Sequence, residues 1–171
     1  MKIIALAAAK GGVGKTTLAA ALSVAAARSD AVVALADLDP QGSLTRWWNA
    51  RALPNPLLLR LAPERLPRAS AALRGVPLDF LMLDCPPGFS PILERVVAAA
   101  DLVLVPTAPG ELDLAAVAST AEMAERAGTP FRFASIQRPP GLQGFSRAIT
   151  VAPKTRGPRP PPCLPAAAVM R

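Results

Sequence analysis

The length and composition of the chain limit what it can be. Its 171 residues suffice for one domain with a buried core, and 51% of them are hydrophobic. No apolar run reaches the roughly 18 residues that a membrane-spanning helix needs, and the apolar stretch after Lys2 predicts a buried strand rather than an export signal. The absence of histidine excludes Ser-His and Cys-His catalysis. The two cysteines lack metal-site spacing, so we expect a reduced, cytoplasmic protein.

The net charge of +7 is unevenly distributed along the chain. Residues 1–136 hold 13 basic and 12 acidic side chains, whereas residues 137–171 hold six basic and no acidic ones. The basic character therefore belongs to the end of the sequence and not to the domain. This distribution weakens the interpretation of the whole chain as a nucleic-acid-binding protein.

Apolar runs alternate with helix-like stretches along the first 136 residues. Five runs predict strands, at residues 3–8, 31–35, 80–83, 102–105 and 131–136. Stretches with helical composition predict helices at residues 16–28, 43–50, 91–100 and 112–127, and a further helix at 64–73 in a proline-interrupted region. Because the strands are continuously apolar, we expect an α/β fold with a mostly parallel sheet and helices on both faces.

Residues 137–171 differ from the rest of the chain in composition. They include eight prolines, no acid and no clear hydrophobic period. We predict a domain at residues 1–136 and a disordered, Pro/Arg-rich tail at residues 137–171. Two origins for this segment stay open. One is a natural proline-rich tail, and the other is a shift of reading frame near residues 134–135, because a GC-rich gene read out of frame yields arginine, proline and alanine.

A glycine-rich loop, KGGVGKTT, follows the first predicted strand and leads into the first predicted helix. Its end fits the common phosphate-loop pattern G-x-x-x-x-G-K-[ST], although Ala9 stands where the first glycine is expected. Glycines let backbone N–H groups converge on phosphate oxygens, and the helix start adds its positive end. Lys15 would neutralise the β- and γ-phosphates, and the Thr16 hydroxyl would ligate Mg²⁺. We predict nucleotide binding by Lys10, Gly11, Gly12, Val13, Gly14, Lys15, Thr16 and Thr17.

Acidic residues follow three of the apolar runs. Asp37 and Asp39 lie in DLDPQG after the second run, and Asp84 ends the third, in FLMLDCPPG. A carboxylate at a strand end can organise Mg²⁺-bound water or orient an attacking water, although Asp-Pro and Gln-Gly are also ordinary turn dipeptides. Glu111 and Asp113 follow the fourth run, where a position at a helix N-terminus accounts for them without a functional role.

Together these motifs resemble those of the ParA/MinD family of ATPases. KGGVGKTT is similar to the family's deviant phosphate loop, DLDPQG to the signature after its second strand, and FLMLDCPPG to its h-h-h-h-D-x-P-P motif. The resemblance covers residues 1–134 and implies a P-loop NTPase fold that uses ATP and Mg²⁺. It also implies catalytic roles for Lys10, Lys15 and Asp39. In this family the extra lysine, here Lys10, reaches the phosphates bound by a partner subunit.

The same resemblance implies a metal site made by Thr16, Asp84 and Asp37, with Asp39 positioning the attacking water. It ends where the composition changes. Family members have an asparagine-containing turn that contacts adenine after the fifth strand, and Gln137 is the nearest amide here. We therefore expect a sheet that is incomplete toward the C-terminus and leave the adenine contacts unassigned.

The resemblance implies an ATP-driven switch. ATP would hold two copies of the chain in a dimer that binds DNA non-specifically, and a ParB-like activator would stimulate hydrolysis, so that plasmid or chromosome cargo moves. Two alternatives stay open. One is a MinD-like positioning ATPase, against which the lack of an amphipathic C-terminal helix argues, so we expect no membrane partner. The other is a remnant that binds nucleotide without turnover.

Overall fold

The computed structural model describes residues 1–107, 114–137 and 148–152. Its strands in these ranges are β1 (Lys2–Leu6), β2 (Val33–Asp37), β3 (Leu57–Leu59), β4 (Phe80–Asp84), β5 (Leu102–Thr107), β6 (Phe131–Gln137) and β7 (Ala148–Ala152). Its helices are α1 (Lys15–Arg28), α2 (Ser43–Asn49), α3 (Leu66–Leu73), α4 (Pro91–Ala99) and α5 (Leu114–Arg126), and a 3₁₀ turn (Pro63–Arg65) leads into α3. None of these helices has the length and apolar character to span a membrane.

The described strands form one sheet in the order β3-β2-β4-β1-β5-β6-β7. The pairs among β1 to β6 are parallel, and β7 runs antiparallel to β6 at the edge. Parallel strands bring their carboxyl ends to the same edge of a sheet. Because β1 lies between β4 and β5, the loop that follows β1 lies at the middle of that edge, where ligands of α/β sheets bind.

Alternate residues of the central strands supply two separate cores, one on each face of the sheet. In β4, Leu81 and Leu83 belong to one core, and Met82 belongs to the other. Leu18 of α1 packs on the face of Met82, whereas Leu93 of α4 packs on the opposite face. Burial on both faces explains why these strands read as continuous apolar runs rather than as alternating ones. The predicted α/β class with helices on both faces is confirmed.

The five predicted strands and five predicted helices are all present, with ends that shift by no more than two residues. The sequence pattern did not predict β3, which has only three residues and follows Pro54 and Pro56. Proline lacks the N–H that a strand ladder needs, so its neighbourhood argues against a strand except at an edge. β3 is an edge strand of the described sheet, and this position reconciles the strand with its prolines.

The prediction of a disordered tail is wrong for residues 148–152, which form β7. Phe133 pairs with Ala152 and Gln137 with Ala148 in an antiparallel register. The physical reason is local: AITVA holds β-branched residues and no proline, and it can pair with the strand β6 that otherwise ends the sheet. The division of the chain at residue 136 remains a prediction, and residues 138–147 and 153–171 lie outside the described ranges.

Candidate nucleotide-binding site

The glycine-rich loop connects β1 to α1 at the centre of the carboxyl edge. Gly14 precedes α1 with φ 95°, and Gly12 has φ 75°, two left-handed conformations that side chains disfavour. At Gly11, a Cβ atom would lie 4.0 Å from the Cβ of Pro87, in the loop that follows β4. Two of the three glycines are therefore required by backbone conformation. The Gly14 carbonyl already accepts the first bond of α1, from the N–H of Leu18 at 2.9 Å.

Lys15 is folded into this loop. Its side chain is buried, with 6% of the residue exposed, and its Nζ donates to the Lys10 carbonyl at 3.3 Å. Burial lowers the pKa of Lys15 from its ordinary value, while the charges of Asp84 and Asp39 act in the opposite direction. A partly desolvated ammonium held in the curve of a loop gains more from an arriving anion than a hydrated one does. Lys15 is thus placed to bind phosphate.

Thr16 and Asp84 meet across the loop. The Thr16 hydroxyl donates to Asp84 Oδ2 at 2.6 Å, and Asp84 is 1% exposed. Burial raises the pKa of Asp84 to about 6, the Thr16 hydrogen bond lowers it, and the neighbouring charge of Asp37 raises it further. The second oxygen, Oδ1, is buried and has no hydrogen-bond partner in the structure. An orphaned buried carboxylate oxygen beside a hydroxyl fits the role of these groups toward Mg²⁺.

The Thr16 hydroxyl and the Asp84 carboxylate suit a metal ion that takes most of its ligands from groups other than protein side chains. Among the described residues, no group of three or more histidine, cysteine, aspartate or glutamate side chains could hold a metal ion. Mg²⁺ in nucleotide sites uses one or two protein oxygens and takes the rest from phosphates and water. The Thr16–Asp84 pair fits that pattern, and it would hold the ion only together with a nucleotide.

Asp37, the last residue of β2, and Asp39 both accept hydrogen bonds from backbone N–H groups. Asp37 lies beside Asp84 in the parallel register of β2 and β4, but its oxygens accept from the backbone N–H groups of Thr45 at 2.8 Å and Asp39 at 3.3 Å. Asp37 therefore fixes the turn that leads into α2, and its place in the metal shell stays a prediction. Asp39 Oδ1 accepts from the N–H of Gln41 at 2.9 Å, and its charge acts on Lys15 and Asp84.

The backbone of Ala9 joins the loop to two other elements. Its carbonyl accepts from the N–H of Gly88 at 2.8 Å, and its own N–H donates to the Thr120 hydroxyl of α5 at 3.3 Å. Lys10, the next residue, is exposed. Gly88 ends the FLMLDCPPG motif, whereas no sequence motif includes Thr120, because only the packing of α5 brings that hydroxyl to the loop.

The remaining predicted residues fall into three groups. Val13 and Thr17 lie in the loop and the first turn of α1, where Val13 is partly buried and Thr17 exposed. Glu111 and Asp113 lie outside the described residues. Cys85, to which no role was given, is fully buried, and burial raises the pKa of its thiol, so it is an inert core residue. The nucleotide and metal roles themselves stay predictions.

The ionisation of Asp84 gives a first testable prediction. Its pKa lies above the ordinary value of 3.8, so the folded state holds the proton more tightly than the unfolded chain. The free energy of unfolding therefore falls as pH rises from about 4 to about 6 and stays reduced above that. Asp84→Asn removes this ionisation, and we expect it to raise the free energy of unfolding of the free protein at pH 8 by about 2 kcal/mol. Urea unfolding at several pH values measures both effects.

Asp101→Asn is the matched control for this measurement. The Asp101 carboxylate accepts from the N–H of Ile3 at 2.8 Å, and this bond lowers its pKa. The Asp101 carboxylate stabilises the fold above its ordinary pKa, and this stabilisation is lost as pH falls. The resulting pH dependence of stability has the opposite sign to that expected from Asp84. An Asp84→Asn protein that is less stable than the parent at pH 8, with the same pH dependence, contradicts the assigned cost of the Asp84 charge.

Comparisons with known proteins place the chain in a family. Residues 4–155 match a protein-family model described as the CobQ/CobB/MinD/ParA nucleotide binding domain. The maintenance of carboxysome distribution protein A of Gloeobacter kilaueensis is 42% identical over 72% of this chain and 56% of its own length. The chromosome-partitioning ATPase Soj of Thermus thermophilus is 38% identical over 60% of this chain and 53% of its own. The chain spans about half the length of these curated relatives.

A solved structure supports the fold. The cobyrinic acid a,c-diamide synthase of Mycobacterium smegmatis, solved with bound ADP and magnesium, superposes with a TM-score of 0.65 at 24% identity, over 80% of this chain and 74% of that one. At this identity the likeness carries the P-loop NTPase-like fold alone. The family match covers most of the chain and reaches beyond residue 136 into β7. The predicted resemblance to ParA/MinD proteins is confirmed, and the chain belongs to the CobQ/CobB/MinD/ParA family of nucleotide-binding domains.

Proposed function

We propose that this protein is a ParA-type, Mg²⁺-dependent ATPase in which ATP binding drives formation of a homodimer and hydrolysis dissolves it. The observation that carries the proposal is the arrangement of charge at the loop. Lys15 is buried against the Lys10 carbonyl, and the Thr16 hydroxyl bonds Asp84 at 2.6 Å while the other Asp84 oxygen lacks a partner. A cation and a metal-binding pair flank one glycine-rich turn, which is the arrangement that a nucleoside triphosphate needs.

Binding relies on groups that the fold has already oriented. The glycine-rich turn offers N–H groups at the positive end of α1, and Lys15 supplies a cation that burial has partly stripped of water. When a triphosphate enters, Lys15 would leave the Lys10 carbonyl for phosphate oxygens. Thr16 and Asp84 would hold the Mg²⁺, which, when bound, withdraws charge from the phosphate oxygens during transfer.

Hydrolysis needs a positioned water and further positive charge near the γ-phosphate. Asp39 lies at the start of the turn after β2, near enough for its charge to act on both Lys15 and Asp84, and it would orient the water. Lys10 is exposed, and it would reach the nucleotide of a second copy. This contribution in trans resembles that of an arginine finger.

The cargo is the finer part of the proposal. The relative named chromosome-partitioning ATPase Soj favours a role in partition. The proposal for this role is that the chain moves a chromosome or plasmid, with a ParB-like activator and non-specific DNA as its partners. A second candidate is distribution of carboxysomes, which is favoured by the 42% identity to a protein named for that role. Imaging a labelled copy of the protein in its host, together with labelled carboxysomes or labelled replication origins, distinguishes the two candidate cargoes. Lipid co-sedimentation tests the MinD-like alternative.

Thermal unfolding with and without Mg·ATP tests the nucleotide-binding step. A ligand that binds only the folded state stabilises it, by about 2.7 kcal/mol at a hundred times its Kd, which is an increase of about 5–10 °C in Tm for a chain of this size. EDTA should remove most of the increase, because the Thr16–Asp84 pair needs the metal. An unchanged Tm contradicts nucleotide binding. An increased Tm without phosphate release supports the remnant without turnover.

A further inference from the structure

Hydrogen bonds from three separate elements hold the backbone of Ala9 and Lys10. The Ala9 N–H donates to Thr120 of α5, and the Ala9 carbonyl accepts from Gly88 of the loop after β4. The Lys10 carbonyl accepts from Lys15 Nζ. The direction in which the Lys10 side chain leaves the backbone depends on the two peptide planes that flank it, which the Gly88 and Lys15 bonds hold. The Thr120 bond holds the adjoining peptide plane, between Ala8 and Ala9.

Thr120 is rigidly placed for this contact. The residue is fully buried, and its neighbours in α5, Met123 and Ala124, are core residues packed beneath the sheet. The Thr120 oxygen accepts an N–H from a loop 111 residues earlier in the chain. The hydroxyl therefore couples the position of α5 to the Ala8–Ala9 peptide, next to the two peptides that flank Lys10.

Nucleotide binding increases the importance of this bond. Lys15 would turn from the Lys10 carbonyl to the phosphates, which removes one of the three restraints on the segment. Gly88 belongs to the loop that follows Asp84, and its backbone is left-handed with φ 86°. The Thr120 hydroxyl is then the restraint supplied from outside the glycine-rich loop and the loop after β4. It comes from a packed helix that does not have to move.

We propose that Thr120 is a positioning residue for hydrolysis: through the Ala9 N–H it restrains the Ala8–Ala9 peptide and so the backbone that leads into Lys10, which directs the lysine toward the nucleotide of the partner copy. This inference rests on the proposed function for the role of Lys10, but the contact itself does not. It predicts a specific effect on turnover with little effect on nucleotide affinity, because the Thr120 hydroxyl bonds Ala9, which precedes the predicted nucleotide-binding residues 10–17.

Thr120→Val tests the inference, because it keeps the shape of the side chain and removes the hydroxyl. In the full chain without nucleotide, we expect amide exchange at Ala9 and Lys10 to become about fivefold faster. With Mg·ATP, we expect kcat to fall about tenfold and KM to stay within about twofold. Thr120→Ser should restore both values to within about threefold, since it returns the acceptor. Thr120→Ala repeats the test if the valine variant folds poorly.

Thr129→Val is the matched control. Its hydroxyl is also buried and donates to the Val97 carbonyl at 2.9 Å, but it lies before β6 at the opposite edge of the sheet from the loop. A general loss of stability would affect both variants alike. In a Lys10→Ala background, Thr120→Val should lower kcat by less than about twofold, because a residue that acts through Lys10 has nothing left to position.

Two results overturn the inference. One is exchange at Ala9 and Lys10 that is no faster in Thr120→Val than in Thr129→Val. The other is a loss of kcat that is equal in these two variants or fully additive with Lys10→Ala. If the parent protein does not hydrolyse ATP at all, the proposed function fails, and the exchange comparison alone decides whether Thr120 holds the segment.

Discussion

Lys15→Met is expected to weaken Mg·ATP binding by about 10²- to 10⁴-fold, because each charge-assisted hydrogen bond to phosphate contributes about 1.5–3 kcal/mol and the lysine would make two. Methionine keeps the length and apolar stem of the buried side chain while removing its charge. The residue is 6% exposed, so a substitution that left a cavity would confuse binding with stability. Isothermal titration calorimetry of the parent and the variant measures the difference in Kd.

The unliganded variant should be at least as stable as the parent. Burial lowers the pKa of Lys15, which means that the folded protein without ligand bears a cost for keeping this charge. Lys2→Met is the matched control: Lys2 is exposed, pairs with Asp101 at 3.4 Å, and begins β1 at the edge of the sheet opposite to the loop. A Lys15→Met protein that binds Mg·ATP as tightly as Lys2→Met contradicts the assignment of Lys15 to phosphate.

Lys15 and Asp84 are both buried where their charged forms are unfavourable, so this region destabilises the protein when no ligand is bound. A lysine with a lowered pKa and an aspartate with a raised one lie within interacting distance, yet neither satisfies the other: Lys15 bonds a carbonyl, and one oxygen of Asp84 has no partner. Natural proteins retain such buried, unsatisfied groups where a ligand completes them. The predicted stabilisation by Asp84→Asn and the predicted loss of binding in Lys15→Met follow from this same incompleteness.

The fold was largely predictable because its signals are local. Strands buried on both faces give continuous apolar runs in the sequence. The spacing of glycine, lysine and threonine identifies the turn between β1 and α1 as a phosphate loop. The motifs predicted which side chains lie around the glycine-rich loop, and the roles of these side chains stay predictions. Asp37 shows what a motif leaves out: it lies beside Asp84 in the strand register, and its oxygens also accept from the backbone N–H groups of Thr45 and Asp39. Sequence gives the position of a carboxylate on a strand, not the backbone donors that a following turn will bring to it.

Features that depend on tertiary packing could not be predicted. Thr120 contacts the loop only because α5 packs beneath the sheet, and nothing in the residues around it marks it as different from other helical threonines. The strand β7 lies in a segment whose average composition indicated disorder, and five residues without proline were enough to pair with β6. Composition averaged over 35 residues hides a segment of that length.

Lys10→Ala is expected to keep Mg·ATP binding within about threefold of the parent and to reduce kcat by about 10³-fold, the lower end of the effect of an arginine finger. Lys10 is exposed and its side chain is not part of the buried phosphate-binding set, so affinity in one subunit should not depend on it. Lys10 contributes during phosphoryl transfer, when negative charge develops on the phosphate oxygens. Steady-state phosphate release and nucleotide titration on the same preparation separate the two parameters.

Mixing two inactive variants decides whether Lys10 acts within its own subunit or across the dimer. Asp39→Ala should also abolish turnover, because it removes the group proposed to orient water in its own subunit. In a mixed dimer, the site of the Lys10→Ala subunit keeps its own Asp39 and receives Lys10 from its partner. Random pairing makes half of the dimers mixed with one working site in each, so an equimolar mixture should recover about a quarter of the parent kcat. If Lys10 served its own subunit, every site in the mixture would lack one of the two groups, and no activity would return.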